Sequence, residues 1–183
     1  IEAAIVLVVV GLVVGGIWSA ANNLIYNNKI TSMKMDTLAI IENTRNLWKR
    51  MPLPTNQDVT NSMVAARAIP NSSIKGGRFQ TPYGEGAIKI GDGSSAPEKG
   101  WVAIYYYGFN DGDSKACVDL SMALNTVSSN YGITRILTGS VAIGSPEIYP
   151  PTDIKTIENA CKTAATLMNN AGIPQLYVVI ALL

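Results

Sequence analysis

The sequence predicts an α+β chain in which one long N-terminal helix precedes a globular region built on an antiparallel sheet. Three observations carry this. Residues 3–21 are apolar and uncharged over a span that a soluble helix has no use for. Neither proline nor glycine interrupts residues 22–51, so the helical pattern continues past the apolar part. Beyond Pro52, short β-rich runs alternate with turn residues and with two amphipathic stretches, each holding one cysteine.

The helix comes first in the chain. Nineteen consecutive residues, Ala3 to Ala21, carry no charge, and the next charge after Glu2 is Lys29. At 1.5 Å per residue, about 20 residues cross a hydrocarbon layer ~30 Å thick, so the segment is long enough to span one. It is too long for the apolar part of a signal peptide and lacks the basic start of one. Trp18 and Tyr26 lie near one end, where aromatic rings favour a membrane interface, and Lys29 and Lys34 follow. Glu2 has two readings: a solvated flank at headgroup level, or a carboxylate that needs a positive partner inside an assembly. Gly11, Gly15 and Gly16 also have two: close helix packing, or a segment able to unwind when the helix leaves lipid. Leu24, Thr31, Met35, Leu38, Ile41 and Trp48 recur at helical spacing and predict one buried face, with Lys29, Lys34, Glu42, Arg45 and Lys49 between them. Pro52 and Pro54 end the helix. The organisation is a helix over 1–52, apolar through 26 and amphipathic over 27–52, followed by a globular α+β region over 53–183.

In that region, 52–61 reads as a loop, 62–68 as a short helix ended by Pro70, and 71–77 as a turn. Thr81-Pro82-Tyr83-Gly84 is a turn signal. Residues 87–90 form a short strand, and Gly91-Asp92-Gly93-Ser94-Ser95 a tight polar turn. Residues 101–109 are the strongest strand, rich in valine, isoleucine and aromatics. Helices are expected over 114–129, with Ser114 as N-cap, and over 153–170, capped by Thr152 and closed by Gly172 and Pro174. Between them lie a strand over 134–143 and a break at Pro150-Pro151. A final apolar strand covers 175–183. Tyr105, Tyr106 and Tyr107 are consecutive in a strand, so the middle ring faces away from its neighbours; packing explains them by default, contact with a ligand or surface being the alternative.

Composition narrows the chemistry. Of 183 residues, 48% are hydrophobic and 15% charged, against about 25% charged in typical soluble domains. The net charge of +1 gives no general attraction to nucleic acid. Histidine is absent, which removes Ser-His-Asp and Cys-His catalysis and histidine-bearing metal sites. Asp111, Asp113 and Asp119 lack the twelve-residue calcium-loop pattern and read as solvated turn carboxylates. Gly84-Glu85-Gly86 lacks the lysine and hydroxyl residue of a phosphate loop. No catalytic residues, metal or cofactor are expected. Cys117 and Cys161 suggest one disulfide in an oxidising compartment, the alternative being two buried free thiols.

Taken together, an apolar N-terminal helix, a glutamate near its start, a helix of about fifty residues and two C-terminal cysteines resemble a type IV pilin. The closer likeness is to the b subclass, the group of the bundle-forming pilin and the major pilins of plasmid-encoded conjugative thin pili. Ile69-Pro70-Asn71 leading to Thr81-Pro82-Tyr83-Gly84, the stretch Lys115-Ala116-Cys117-Val118-Asp119-Leu120, and Glu158-Asn159-Ala160-Cys161 are similar to segments of those proteins. The a subclass carries a proline in the apolar helix, and this chain has none there.

The resemblance implies the type IV pilin fold, a long helix packed on an antiparallel sheet, with a methylated mature N-terminus. It matches Glu2 to the glutamate that pairs with a neighbouring subunit's N-terminal amine. That residue stands fifth in the family, so three residues are expected to precede Ile1, after removal of a leader by prepilin peptidase. It gives Gly11, Gly15 and Gly16 a role in partial unwinding and pairs Cys117 with Cys161. It implies a major subunit held in the bacterial inner membrane, extracted by the ATP-driven pilus assembly machinery, and polymerised into an extracellular helical filament. Such filaments serve adherence to host or recipient cell surfaces, aggregation or conjugation. The alternatives are a pseudopilin or minor pilin of a secretion or DNA-uptake machine, and a membrane-anchored enzyme or ligand-binding domain.

Overall fold

The computed structural model describes residues 2–49, 57–91, 100–107, 114–138, 146–171 and 175–181. The chain is α+β and divides into two compact units, Ile1–Ser32 and Met33–Leu183. Helix α1 runs unbroken from Glu2 to Trp48. The boundary between units therefore falls inside this helix rather than at its end, because the residues from Met33 onward pack within the globular unit. Pro52 and Pro54 lie outside the described residues, as do the polar turn after Gly91 and the acidic turn at 111–113.

The globular unit contains β1 (Gln57–Asp58), α2 (Thr60–Ala65), a 3₁₀ turn (Asn71–Ser73), β2 (Ile74–Lys75), β3 (Arg78–Thr81), β4 (Gly84–Gly91) and β5 (Trp101–Tyr107). These are followed by α3 (Ser114–Asn125), α4 (Ser128–Tyr131), β6 (Ile133–Thr138), β7 (Glu147–Ile148), α5 (Ile154–Ala171) and β8 (Gln175–Ala181). The strands order as β2-β3-β4-β5-β8-β6-β7, with β1 on β4, and every pairing is antiparallel. β8, the latest strand in chain order, lies in the middle, between β5 and β6.

Strand alternation explains the layering. Val102, Ile104 and Tyr106 of β5 share one face with Ile88 and Ile90 of β4, with Leu176, Val178 and Ile180 of β8 and with Ile136 of β6; all are buried. α1 meets this face through Thr37, which hydrogen-bonds the Tyr106 phenol. α5 lies over it at β6, where Thr138 Oγ1 donates to the Ala160 carbonyl at 3.3 Å. Trp101, Ala103, Tyr105 and Tyr107 share the opposite face.

Two glycine sites are forced. Gly76 and Gly77 turn the β2–β3 hairpin with φ of 57° and 76°, the left-handed pair of a two-residue turn that suits strand twist. Gly86 sits under the Phe79 ring: an added Cβ would lie 2.3 Å from Phe79 Cε1. Phe79 in turn meets Tyr106 edge-on, with centroids 6.4 Å apart.

Several expected elements differ in detail. The short helix begins at Thr60 rather than 62, because Asp58 Oδ1 accepts from Thr60 N at 2.9 Å and fixes the turn there. The segment expected as one helix over 114–129 is α3 and α4 joined through Thr126 and Val127. β1, β2 and β7 have two residues each and too little sequence for an alternation to show. α5 is capped by Asp153, whose Oδ1 accepts from Thr156 N at 3.0 Å, and not by Thr152, whose backbone N–H instead donates to Asn125 Oδ1. A cis peptide bond joins Pro150 to Pro151.

Candidate assembly surface

Along the first unit, residues 6–20 are exposed without a break. Val6, Leu7, Val8, Val9, Val10, Leu12, Val13, Val14, Ile17 and Trp18 are all exposed, Leu12 to 73%. They point in every direction around the axis, since successive residues turn by about 100°. Among the described residues this is the one helix long and apolar enough to cross a membrane, and no part of its apolar window is buried. Gly11, Gly15 and Gly16 lie within continuous α-helix, and a Cβ added at any of them would meet nothing within 4 Å. Among the described residues, therefore, no close contact requires glycine at these positions. Glu2 opens the helix; its side chain lies outside the described set.

Further along the same helix the pattern changes. Met33, Thr37, Leu38, Ile40, Ile41 and Thr44 are buried within the globular unit. This corrects the expected stripe: Leu38 and Ile41 belong to it, whereas Met35 is 61% exposed and Leu24 and Thr31 also face outward. Trp48 is half-buried. The true stripe was hidden because two of its members are threonines. Each hydroxyl donates to the carbonyl four residues back, Thr37 to Met33 and Thr44 to Ile40, both at 2.6 Å, so the side chain is satisfied and packs as a small apolar group.

Polar contacts reinforce this docking. Asp36 accepts from Ser73 Oγ at 2.6 Å and from Ser72 Oγ at 3.1 Å. Asn43 Nδ2 donates to the Ala68 carbonyl at 2.8 Å. Burial drives the Tyr106 phenol far above its ordinary pKa, an effect that its hydrogen bond with Thr37 partly offsets. Tyr106 does face opposite to Tyr105 and Tyr107, which stack on the other side of the sheet at 6.2 Å. Lys89 Nζ lies 5.0 Å from the Tyr105 ring centroid. Burial raises the pKa of both outer tyrosines.

Cys117 on α3 and Cys161 on α5 form a disulfide, with Cα atoms 5.8 Å apart. The bond clamps two helices that also pack against each other; Leu120 and Leu124 on α3 and Ile157 and Ala164 on α5 are buried. Nearby on the sheet, the largely buried Arg135 is 3.7 Å from Glu147, which also accepts a hydrogen bond from Tyr149. That bond raises the Tyr149 pKa.

Among the described residues no three of cysteine, aspartate, glutamate or histidine gather as metal ligands. Asp119 is ion-paired with Lys115 at 2.6 Å, and Asp111 and Asp113 lie outside the described set.

Comparison with family models, with curated proteins and with solved structures gives no match. The structure itself is a long apolar N-terminal helix joined to an antiparallel sheet and a disulfide-linked helix pair, an arrangement compatible with a pilin-like fold.

Proposed function

We propose that this chain is a structural subunit of a type IV pilus, polymerising through the apolar part of α1 into a helical surface filament. The supporting observation is the ten large apolar side chains between Val6 and Trp18, all exposed in the single chain. Full burial of one such side chain is worth about 1.5–3 kcal/mol, so water is a poor final environment for this surface. Lipid satisfies it before assembly, and sister helices satisfy it afterwards. Contacts of this kind repeat head-to-tail without closing, so the product is an open fibre. Glu2 is assigned to pair with the N-terminal amine of the adjoining subunit. That pairing removes the cost of a lone carboxylate in an apolar bundle. The glycines at 11, 15 and 16 supply a stretch that can unwind during transfer from lipid to fibre. The globular unit then forms the outer wall, its disulfide suiting an oxidising exterior.

Glu2→Ala, expressed with the secretion and assembly machinery, tests this reading by electron microscopy and membrane fractionation. The variant is expected to reach the membrane and to lose wild-type piliation. Normal filaments from Glu2→Ala sink the assigned role of that residue. Short fibres confined to the periplasm, made by the unsubstituted chain, favour the secretion-machine alternative.

A further inference from the structure

Where the apolar segment of α1 ends, four asparagines occur within seven residues: Asn22, Asn23, Asn27 and Asn28. All four are exposed, and Leu24 and Ile25 between them are exposed as well. At about 100° per residue their directions are roughly 0°, 100°, 140° and 240°, so no side of the helix lies far from an amide. Asparagine is a poor helix former, and within the single chain such a ring returns nothing to the helix. An amide, however, carries both a donor group and an acceptor and is complementary to itself. The partner it fits best is another copy of the same belt.

For copies that are staggered along the axis, spacing then limits how they meet. The Asn22–Asn23 step and the Asn27–Asn28 step lie five residues apart, about 7.5 Å along the axis. On the reading that this chain builds a helical filament, we infer that the Asn27–Asn28 step of one subunit meets the Asn22–Asn23 step of a neighbour, amide to amide, setting a stagger of about 7.5 Å between contacting helices. The aliphatic surface between Val6 and Ile17 selects a register less sharply, because its packing has no hydrogen bonds to satisfy. A buried amide facing valine or leucine is left unsatisfied, and that selects one register against the others.

The test is high-resolution electron cryo-microscopy of filaments from the unsubstituted chain and from two fourfold variants, Asn→Leu and Asn→Gln at positions 22, 23, 27 and 28. The unsubstituted filament is expected to show inter-subunit amide contacts at this level, one pair of contacting helices being offset by about 7.5 Å. The leucine variant gains apolar area yet loses its single axial rise; the glutamine variant, which keeps the amides, retains one. A leucine variant with the unsubstituted rise overturns the belt, as does a map in which the four amides point away from neighbouring helices. If the leucine variant forms no filament, the unsubstituted map alone decides. Failure of the unsubstituted chain to polymerise overturns the subunit reading and the belt together; polymerisation without amide contacts overturns the belt alone.

Discussion

Residues 6–18 and 33–44 belong to one continuous helix, yet they meet opposite fates. In the first stretch valine, leucine and isoleucine are exposed on all sides; in the second, Met33, Ile40, Ile41 and two threonines are buried against the globular unit. Hydrophobicity does not separate the two, since the buried stretch is the more polar. What separates them is the location of the partner. The second stretch has its partner inside the same chain, whereas among the described residues nothing buries the first. A soluble monomer seldom leaves so large an apolar surface uncovered.

Substitution breaks this comparison most forcefully at the disulfide. The bond closes a loop with a sequence separation of 44, and the chain-entropy model values that at about 4 kcal/mol. Cys117→Ala with Cys161→Ala is expected to lower the denaturation midpoint of the globular unit accordingly, in chemical denaturation followed by circular dichroism. Insertion of the first stretch into detergent or lipid is expected to stay unchanged.

Next comes one substitution made in both regions. Leu120→Ala empties a fully buried site and is expected to cost about 2–5 kcal/mol. Leu12→Ala, at a position 73% exposed, is expected to leave the melting of the globular unit within about 0.5 kcal/mol of the original while weakening filaments. Equal losses in both would erase the distinction between the two stretches.

A smaller effect sharpens the docking of the second stretch. Thr37→Val leaves the buried Tyr106 hydroxyl without its Thr37 partner and is expected to cost about 1–3 kcal/mol. Tyr106→Phe leaves Thr37 its bond to the Met33 carbonyl and is expected to cost less, near 1 kcal/mol. The double variant should then resemble Tyr106→Phe alone, so a cycle with additive losses would argue against the bond.

The smallest effects are read from pH. The Tyr106 pKa is raised in the folded chain, so the unfolded chain ionises first, from about pH 10. Stability is full below that pH and is lost above it, by about 1.4 kcal/mol per pH unit for this one group. At the other end, the Thr156 hydroxyl and backbone N–H hold the Asp153 carboxyl below its ordinary value of 3.8. Its contribution to α5 is present above that pH and fades as pH falls further. Asp153→Asn should flatten the acid arm of a melting-versus-pH curve, and an unchanged arm would remove Asp153 from this role.

Much of this architecture is legible in the sequence. β5 and β8 show as apolar runs, α3 and α5 as amphipathic stretches each with a cysteine, and the Thr81–Gly84 turn by its proline and glycine. The buried stripe of α1 is not legible. Thr37 and Thr44 read as polar until their hydroxyls are seen bonded to their own helix. The place of β8 is equally hidden, because alternation tells which side chains share a face and not which strand lies alongside. Of the candidate site, Glu2 and the three glycines come from pattern and resemblance. The asparagine belt is not legible in the sequence either, because a polar run at the end of an apolar segment reads as its solvated edge.

The position of β8 also orders events in time. β4 and β5 on one side, β6 and β7 on the other, remain two unconnected halves of a sheet until β8 is available to join them. Cys117 and Cys161 both precede it in the chain. The two cysteines can therefore be linked while the sheet is still in two pieces. A clamp formed at that stage would shorten the search β8 must make, and β8 would close the sheet from its middle rather than from an edge.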